Sequence, residues 1–269
     1  MSDRVAILGT GKMGEALLSG LLRSGFPASS LVVSTRSPER AEVLAQRYGV
    51  EVSGSAAAVS TADTVVIAVK PQDMSALLDE IAGPVSADQL VVSVAAGITT
   101  AFLEARLGDQ VPVVRVMSNT PVLVDEAMSA LSAGSHADES HLARTEALLR
   151  PVGRTIRVPE SQQDAVTALS GSGPAYFFYL VEAMTDAGIL LGLPRSVAHD
   201  LIVQTAIGAA VMLRDSGEAP QTLREAVMSP AGTTIAAIRE MENHKVRAAF
   251  LAALEAARDR SRELASGHE

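Results

Sequence analysis

The chain has 269 residues, 48% of them apolar and 20% charged, which is ordinary globular usage and excludes a mainly disordered protein. Its net charge is −9 and it has only three lysines, so it lacks the concentrated basic surface of a nucleic-acid binder. Cysteine is absent and the five histidines show no metal-ligand spacing, so we expect neither disulfides nor a bound metal. No uncharged apolar run reaches about 18 residues, and the start MSDRVAILG lacks a signal-peptide layout. We therefore expect a cytoplasmic protein that does not span a membrane.

Residues 1–158 alternate short Val- and Ile-rich runs with stretches rich in alanine and leucine. Nearly continuous apolar runs of strand length are typical of a parallel sheet covered by helices on both faces. The helix predicted at Pro38–Tyr48 has Ser37 as its N-cap and a proline in its first turn. The alternation predicts an α/β domain with a doubly wound sheet of the Rossmann type. The predicted strands are Val5–Leu8, Leu31–Ser34, Thr64–Val69, Leu90–Val94, Val111–Val116 and Thr155–Val158.

Residues 159–269 contain no convincing strand and indicate a series of helices broken by glycine and proline. Two of these helices, near 174–191 and 195–213, are apolar almost all round, and such helices are usually buried on every side. A second copy of the chain would cover them in a homodimer; the alternative is a helical layer packed only on its own sheet domain. We expect an all-α dimerisation domain at 159–269. The predicted helices are Ser161–Leu169, Pro174–Leu191, Arg195–Ser216, Gln221–Met228, Thr233–Glu242 and Lys245–Ala265.

A glycine-rich loop follows the first predicted strand and opens a helix expected at Met13–Ser24. It has the GxGxxG pattern of a dinucleotide-binding fold, and the helix N-terminus offers N–H groups to an anion. Gly9 permits the tight turn, Gly11 lets a pyrophosphate approach the backbone, and Gly14 lets the helix pack closely on the strand. An ordinary glycine turn is the alternative, but the alternating context favours a cofactor loop. This loop consists of Gly9, Thr10, Gly11, Lys12, Met13 and Gly14.

The end of the second predicted strand bears on the choice between NADH and NADPH. A site that prefers NAD has Asp or Glu here to bind the ribose 2′-hydroxyl, whereas this chain has Ser34, Thr35 and Arg36. Hydroxyls and an arginine suit a 2′-phosphate, because arginine forms bidentate, charge-assisted bonds with phosphate. A solvated loop charge is the alternative for Arg36. We expect NADPH, with NADH as the alternative cofactor.

Loops at the carboxyl ends of the later strands should complete the cofactor crevice. Small residues at 95–97 would let a flat ring lie against the backbone, and Asn119 would either bond polar cofactor groups or cap its own turn. Lys70 is either a catalytic acid or, as we favour, a crevice charge near the cofactor. The residues expected at these loops are Ala68, Val69, Lys70, Pro71, Ala95, Ala96, Gly97 and Asn119.

A second candidate site lies in the helical half, where the run SPAGTT at 229–234 opens a predicted helix. Backbone N–H groups and hydroxyls at a helix start can hold a small carboxylate. Plain N-capping by serine or threonine accounts for these residues equally well.

Several separate motifs together resemble the pyrroline-5-carboxylate reductase family over essentially the whole chain. They are AILGTGKMG at 6–14, AVKP at 68–71, AAG at 95–97, RVMSNTP at 115–121, DAVTALSGSGPAYFFYLVEAM at 164–184, GLPR at 192–195 and VMSPAGTT at 227–234. The last motif is the family's signature region. This chain departs from the family there at Met228, where a small polar residue is usual, and at Ala231, where glycine is usual. Ser55 stands where many members have an asparagine that contacts the cofactor.

The resemblance implies a Rossmann domain, a helical dimerisation domain, and homodimers that in many members assemble five at a time into a decamer. It implies that 1-pyrroline-5-carboxylate is reduced to L-proline, the last step of proline biosynthesis. It adds Ser34, Arg36 and Ser55 to the cofactor residues, and it places the Thr234 hydroxyl near the substrate ring nitrogen. A surface carboxylate is the alternative for Glu160. The substrate-binding residues it implies are Glu160, Ser229, Ala231, Gly232, Thr233 and Thr234.

Such a reaction asks little of the side chains, because the cofactor carries the hydride and a protonated cyclic imine is already electrophilic at C5. We expect Thr234 to act as the catalytic residue by donating or relaying a hydrogen bond to the imine nitrogen. A β-hydroxyacid dehydrogenase is disfavoured, because no lysine lies between positions 71 and 244 to serve as its general base. A reductase of a related cyclic imine and a non-catalytic NADP-binding scaffold protein are the alternatives.

Overall fold

The computed structural model describes residues 4–108 and 110–266. The chain divides into two compact units. The first unit comprises the residues up to Ser172 and those from Ala257 onward, and the second comprises Gly173–Ala256. This division falls after residue 158, where we placed the domain boundary; the boundary itself stays a prediction.

The first unit is built on one eight-stranded sheet with the order β3-β2-β1-β4-β5-β6-β7-β8. The first six strands are parallel, β7 is antiparallel to β6, and β8 runs parallel to β7. The chain order reverses between β1 and β4, which is the switch point where doubly wound sheets bind dinucleotides. The predicted Rossmann-type architecture is confirmed. The strands are β1 Val5–Leu8, β2 Leu31–Ser34, β3 Glu51–Val52, β4 Thr64–Ile67, β5 Leu90–Ser93, β6 Val113–Met117, β7 Ala127–Ala133 and β8 Gly153–Arg157.

Helices cover this sheet and make up the second unit, as the glycine and proline breaks predicted. Ser37 caps the second helix by accepting a hydrogen bond from the Arg40 N–H at 3.2 Å, and a left-handed Gly49 ends it. The helices are α1 Lys12–Arg23, α2 Pro38–Tyr48, α3 Ser55–Val59, α4 Met74–Ile81, α5 Thr100–Leu107, α6 Glu139–Leu149, α7 Gln163–Val166, α8 Gly173–Leu190, α9 Arg195–Asp215, α10 Pro220–Ala226, α11 Thr233–Asn243 and α12 Val246–Ser266.

Both faces of the sheet are buried, which is why its strands are nearly all apolar. Along β1, Val5 and Ile7 belong to the core on one face, whereas Ala6 and Leu8 belong to the core on the other. All four residues are at most 1% exposed. A strand whose two faces are both covered has no solvated side for polar residues, so the period-two alternation disappears.

Two strands were not predicted, and one predicted helix was wrong. Strand β7 has the sequence AMSALSA, which lacks the β-branched residues of a strand, and pairing with β6 on one side and β8 on the other holds it in place. The two-residue β3 was too short to recognise. The single helix expected at 161–169 is instead a 3₁₀ turn, the short α7, and a π-helical turn at Thr167–Gly171.

The second unit leaves a large apolar surface uncovered within one chain. Phe178 and Tyr179 of α8 are 69% and 75% exposed, and Leu201, Ile207 and Met212 of α9 are each more than half exposed. Helix α9 also has the length and composition of a membrane span, but such a helix is weak grounds for one. Exposed apolar area of this extent marks a surface that another molecule covers.

Candidate functional site

A cleft of about 550 Å³ opens at the carboxyl ends of β1, β2 and β4. The glycine-rich loop forms its floor, the end of β2 forms one side, and the segment that follows β4 forms the other. The lining residues are Gly9, Thr10, Gly11, Ser34, Thr35, Arg36, Ser37, Ser55, Ala68, Val69, Lys70, Gln72, Asp73, Ala76, Leu77 and Glu80. The structure thus brings together the predicted loop residues Gly9–Gly11, Ser34, Arg36, Ser55 and Ala68–Lys70.

The glycine-rich loop has the geometry of a phosphate cradle. Gly9 has φ +94°, and a Cβ there would lie 2.8 Å from the Val69 nitrogen, so only glycine fits. A Cβ on Gly14 would overlap the Gly9 carbonyl oxygen, whereas a Cβ on Gly11 would have no neighbour within 4 Å. The space above Gly11 is therefore open to a ligand. The Thr10 hydroxyl is buried and has no hydrogen-bond partner in the described part of the chain, so it is available to one.

No side chain caps the N-terminus of α1, whose N-cap residue is Gly11. The first N–H groups of this helix thus have no side-chain acceptor, and the helix dipole favours an anion at the same place. Loop and helix together suit a pyrophosphate.

At the end of β2, the Ser34 and Ser55 hydroxyls lie 3.1 Å apart. Beside them, the Arg36 guanidinium is mostly exposed and forms an ion pair with the Asp73 carboxylate at 2.9 Å. Sequence reasoning missed Asp73, although its place just after the AVKP motif at the carboxyl edge of β4 was a usable signal. The part of the cleft that would receive a ribose phosphate therefore has an arginine whose guanidinium is already paired with a carboxylate.

A carboxylate on α1 holds the base of this loop. Glu15 pairs with Arg40, with Arg47 at 3.3 Å, and accepts a hydrogen bond from the Tyr48 hydroxyl at 3.0 Å. Partial burial raises the pKa of the Tyr48 phenol, and the neighbouring Glu15 acts in the same direction. These contacts tie α1 to α2, so the phosphate loop and the end of β2 keep a defined spacing.

The next loop along the sheet edge contains Ala95, Ala96 and Gly97. Because Ile67 of β4 pairs with Ser93 of β5, the residues after each strand lie side by side. The 95–97 loop is therefore adjacent to the segment Ala68–Pro71. Ala95 is buried and Ala96 is exposed, so the loop presents backbone and one methyl group to solvent.

The Asn119 side chain is fully used within the fold. Its amide nitrogen donates to the Ser170 carbonyl at 3.2 Å and lies 3.3 Å from the Ser170 hydroxyl, and its oxygen accepts from the Met128 N–H at 3.0 Å. It thereby joins the ends of β6 and β7 to the π-helical turn. Its predicted role toward the cofactor stays a prediction.

Glu160 contacts Thr100, three residues beyond the 95–97 loop. Its carboxylate accepts hydrogen bonds from the Thr100 N–H at 2.8 Å and the Thr100 hydroxyl at 2.5 Å. It also pairs with the buried Arg115 at 3.1 Å. Its predicted contact with the substrate stays a prediction.

In the second unit, the run 229–234 forms a turn that leads into α11. The Gly232 N–H donates to the Ser229 carbonyl at 3.0 Å, and no side chain caps the helix that Gly232 precedes. Ala231 has φ +58°, the left-handed conformation that glycine adopts without strain. The backbone is therefore the one that the family's glycine would adopt, and the free N–H groups of Thr233 and Thr234 suit a carboxylate.

Among residues 4–108 and 110–266, no group of three His, Asp or Glu side chains is placed to hold a metal ion.

Comparisons with known proteins match both parts of the chain. Residues 160–264 match the family model for pyrroline-5-carboxylate reductase dimerisation, and residues 4–97 match that for NADP oxidoreductase, coenzyme F420-dependent. The chain is 47% identical to a pyrroline-5-carboxylate reductase of Mycobacterium tuberculosis, over 97% of this chain and 96% of that protein. It is 45% identical to one from Pseudomonas aeruginosa, over 98% and 97%.

Comparison with solved structures finds the same family as the sequence comparisons. A pyrroline-5-carboxylate reductase from Coxiella burnetii superposes with a TM-score of 0.94 at 34% identity, covering 98% of this chain and 99% of that one. A Plasmodium falciparum pyrroline carboxylate reductase with NADP bound has a TM-score of 0.87 at 26% identity, covering 98% of each chain.

Proposed function

The chain belongs to the pyrroline-5-carboxylate reductase family and reduces 1-pyrroline-5-carboxylate to L-proline, and we propose that NADPH in the cleft of its sheet domain is the preferred reductant. The single observation that carries the cofactor proposal is the cleft itself. It combines Gly9, a position where no side chain fits, with the uncapped N-terminus of α1 and the buried Thr10 hydroxyl, which has no hydrogen-bond partner among the described residues. Each of these features suits a dinucleotide pyrophosphate.

We propose NADPH over NADH because of the residues that lie around the carboxyl end of β2. Ser34, Ser55 and Arg36 offer two hydroxyls and one guanidinium, and no acidic residue of β2 itself is placed to bind a ribose 2′-hydroxyl. The other cofactor residues are the phosphate loop through Gly14, the segment Ala68–Pro71 and the loop Ala95–Gly97.

We propose that the turn 229–234 holds the substrate. Of the backbone N–H groups predicted at Ala231–Thr234, that of Gly232 is used by the Ser229 carbonyl, which shapes the turn. The free N–H groups of Thr233 and Thr234 bind the substrate carboxylate. The bound cofactor supplies a hydride to C5 of the protonated imine, which breaks the C=N π bond. The Thr234 hydroxyl relays a proton from solvent to the neutral imine nitrogen, and its oxygen then accepts a hydrogen bond from the N–H of the protonated imine while the nitrogen becomes an amine.

The chain forms a homo-oligomer, since its second unit matches a dimerisation domain. We propose that the exposed apolar residues of α8 and α9 are covered in a homodimer, and that five dimers assemble into a decamer. A protein interface also explains the apolar α9 without a membrane, and we place the enzyme in the cytoplasm. Light scattering on the purified protein would give the assembly mass.

The test of the proposed function is the rate of NADPH oxidation with 1-pyrroline-5-carboxylate, run in parallel with NADH. We expect turnover to proline and a higher kcat/KM with NADPH. Tight NADPH binding with no turnover of this imine would contradict the activity and favour a related cyclic imine as substrate.

The role of Thr234 has its own test. Thr234→Ala should lower kcat by roughly tenfold or more, because it removes the hydrogen bond at the ring nitrogen. Thr233→Ala is the matched control, since it leaves that hydroxyl in place. Unchanged kinetics in the Thr234 variant would remove this residue from the mechanism.

A further inference from the structure

A partly buried ion pair joins Arg115 to Glu160, which also contacts Thr100, three residues beyond the 95–97 loop. Arg115 of β6 is 5% exposed in its side chain, and its Nη1 lies 3.1 Å from Oε1 of Glu160. The same carboxylate accepts the N–H and the hydroxyl of Thr100, the first residue of α5. Two segments that lie 45 and 60 residues from Glu160 in the sequence thus converge on its carboxylate.

The 95–97 loop is held at both ends by this arrangement. On its N-terminal side, Ser93 pairs with Arg115 in the sheet. On its C-terminal side, Thr100 follows Gly97 closely and is bound twice by Glu160. The loop contains a glycine with φ +75° and two alanines, so its own side chains provide little to fix it. These two anchors act together with the burial of Ala95 and Ile98 in the core to hold the loop.

Glu160 is not free to leave this place. The Arg115 Nη2 is buried and has no hydrogen-bond partner within the described residues, so Glu160 supplies the guanidinium with its charged acceptor. Removing the carboxylate partner of a buried arginine strongly destabilises the folded protein. The carboxylate also lies at the N-terminus of α5, where a negative charge is favoured.

We infer that Glu160 is a positioning residue that acts through Thr100 on the 95–97 loop, and that it is not a ligand of the substrate. This inference rests on the proposed function, which makes that loop part of the cofactor site, and it places the flat nicotinamide ring against the small residues at 95–97. Glu160 sets the affinity for the nicotinamide half and leaves the adenosine half unaffected.

Thr100→Val tests this inference, because it removes one hydrogen bond to Glu160 and leaves the ion pair with Arg115 intact. We expect the Kd for NADPH, measured by calorimetry on the full-length protein, to rise about 2- to 10-fold. The Kd for 2′,5′-ADP, which lacks the nicotinamide, should stay within about twofold, because this ligand binds away from the 95–97 loop and its binding surface is unchanged. Thr100→Ser keeps the hydroxyl and should restore most of the NADPH affinity.

Glu160→Gln separates the two roles. If Glu160 positions the loop, the substitution should weaken NADPH binding and lower kcat with little change in the KM for pyrroline-5-carboxylate. A raised KM for that substrate with unchanged NADPH affinity would overturn the inference, and so would a Thr100→Val protein that binds NADPH normally. Failure of the proposed function is a separate outcome: the wild-type protein would then not turn over the substrate at all.

Discussion

Replacing Gly9 by alanine tests whether the phosphate loop is built as described. The added Cβ would lie 2.8 Å from both the nitrogen and Cγ1 of Val69 and 2.9 Å from the Ala68 carbonyl carbon, where contact distances are normally beyond 3.4 Å. Two of these three atoms are backbone, so a side-chain rotation cannot relieve the overlap. The residue would also keep φ +94°, which L side chains rarely adopt.

The loss in the free energy of unfolding follows from the Cβ overlap and from the positive φ. Overpacking of this kind costs about 1–3 kcal/mol, and a strained positive φ costs roughly 1–2 kcal/mol. The sum is about 2–5 kcal/mol, which lowers Tm by roughly 4–20 °C in a chain of this size. Gly11→Ala is the matched control, because its Cβ would have no neighbour within 4 Å and its φ is −72°.

The assay pairs thermal unfolding at one protein concentration with an NADPH titration. We expect Gly9→Ala to unfold at lower temperature, and Gly11→Ala to keep its Tm yet bind NADPH at least about tenfold more weakly, since its methyl group occupies the pyrophosphate's approach. Normal NADPH affinity in Gly11→Ala would refute this account of the loop. Equal Tm values for the two variants would refute the packing calculation.

Three further outcomes are expected. Ala231→Gly should relieve the left-handed strain at φ +58° and raise stability by up to about 1 kcal/mol, seen as a small increase in Tm; a lower Tm would contradict the strain. Asp73→Asn removes the carboxylate that competes for Arg36 and should improve kcat/KM for NADPH over NADH by up to about fivefold, less at high salt. An unchanged ratio would show that Arg36 does not bind the phosphate. The Ser140 hydroxyl and the His141 N–H hold the pKa of Asp138 at about 2, below its usual 3.8. Because this pKa is lowered on folding, the cap stabilises the protein above about pH 4 and is lost toward pH 2. The Tm difference between wild type and Asp138→Asn should shrink over that range.

The sequence predicted those parts of the fold that repeat locally. Strands β1, β2 and β5 and helix α2 lie within a residue of their predicted bounds, because apolar runs and caps are properties of neighbouring residues. Strand β7 was not predicted because its Ala- and Ser-rich sequence has no strand preference of its own. Its two partners impose the conformation, and a partner strand is invisible in a local pattern.

In the cofactor cleft too, features set by neighbouring residues were predicted and contacts between distant segments were not. Gly9, Gly11 and Gly14 were identifiable because their spacing is fixed by one turn, and the structure gives each the expected geometry. The position of Asp73 after the AVKP motif marks it as a residue near the cleft, but its pairing with Arg36 depends on which segments meet at the edge of the sheet.

By itself, the sequence determined the alternating sheet domain, the phosphate loop, the helical half and the family to which the chain belongs. Only the tertiary structure decided what Glu160 contacts and which charge opposes Arg36. The physical reason is that propensity, capping and hydrophobic period act between residues a few positions apart. Ion pairs and hydrogen bonds between distant segments instead depend on which strands become neighbours in the sheet.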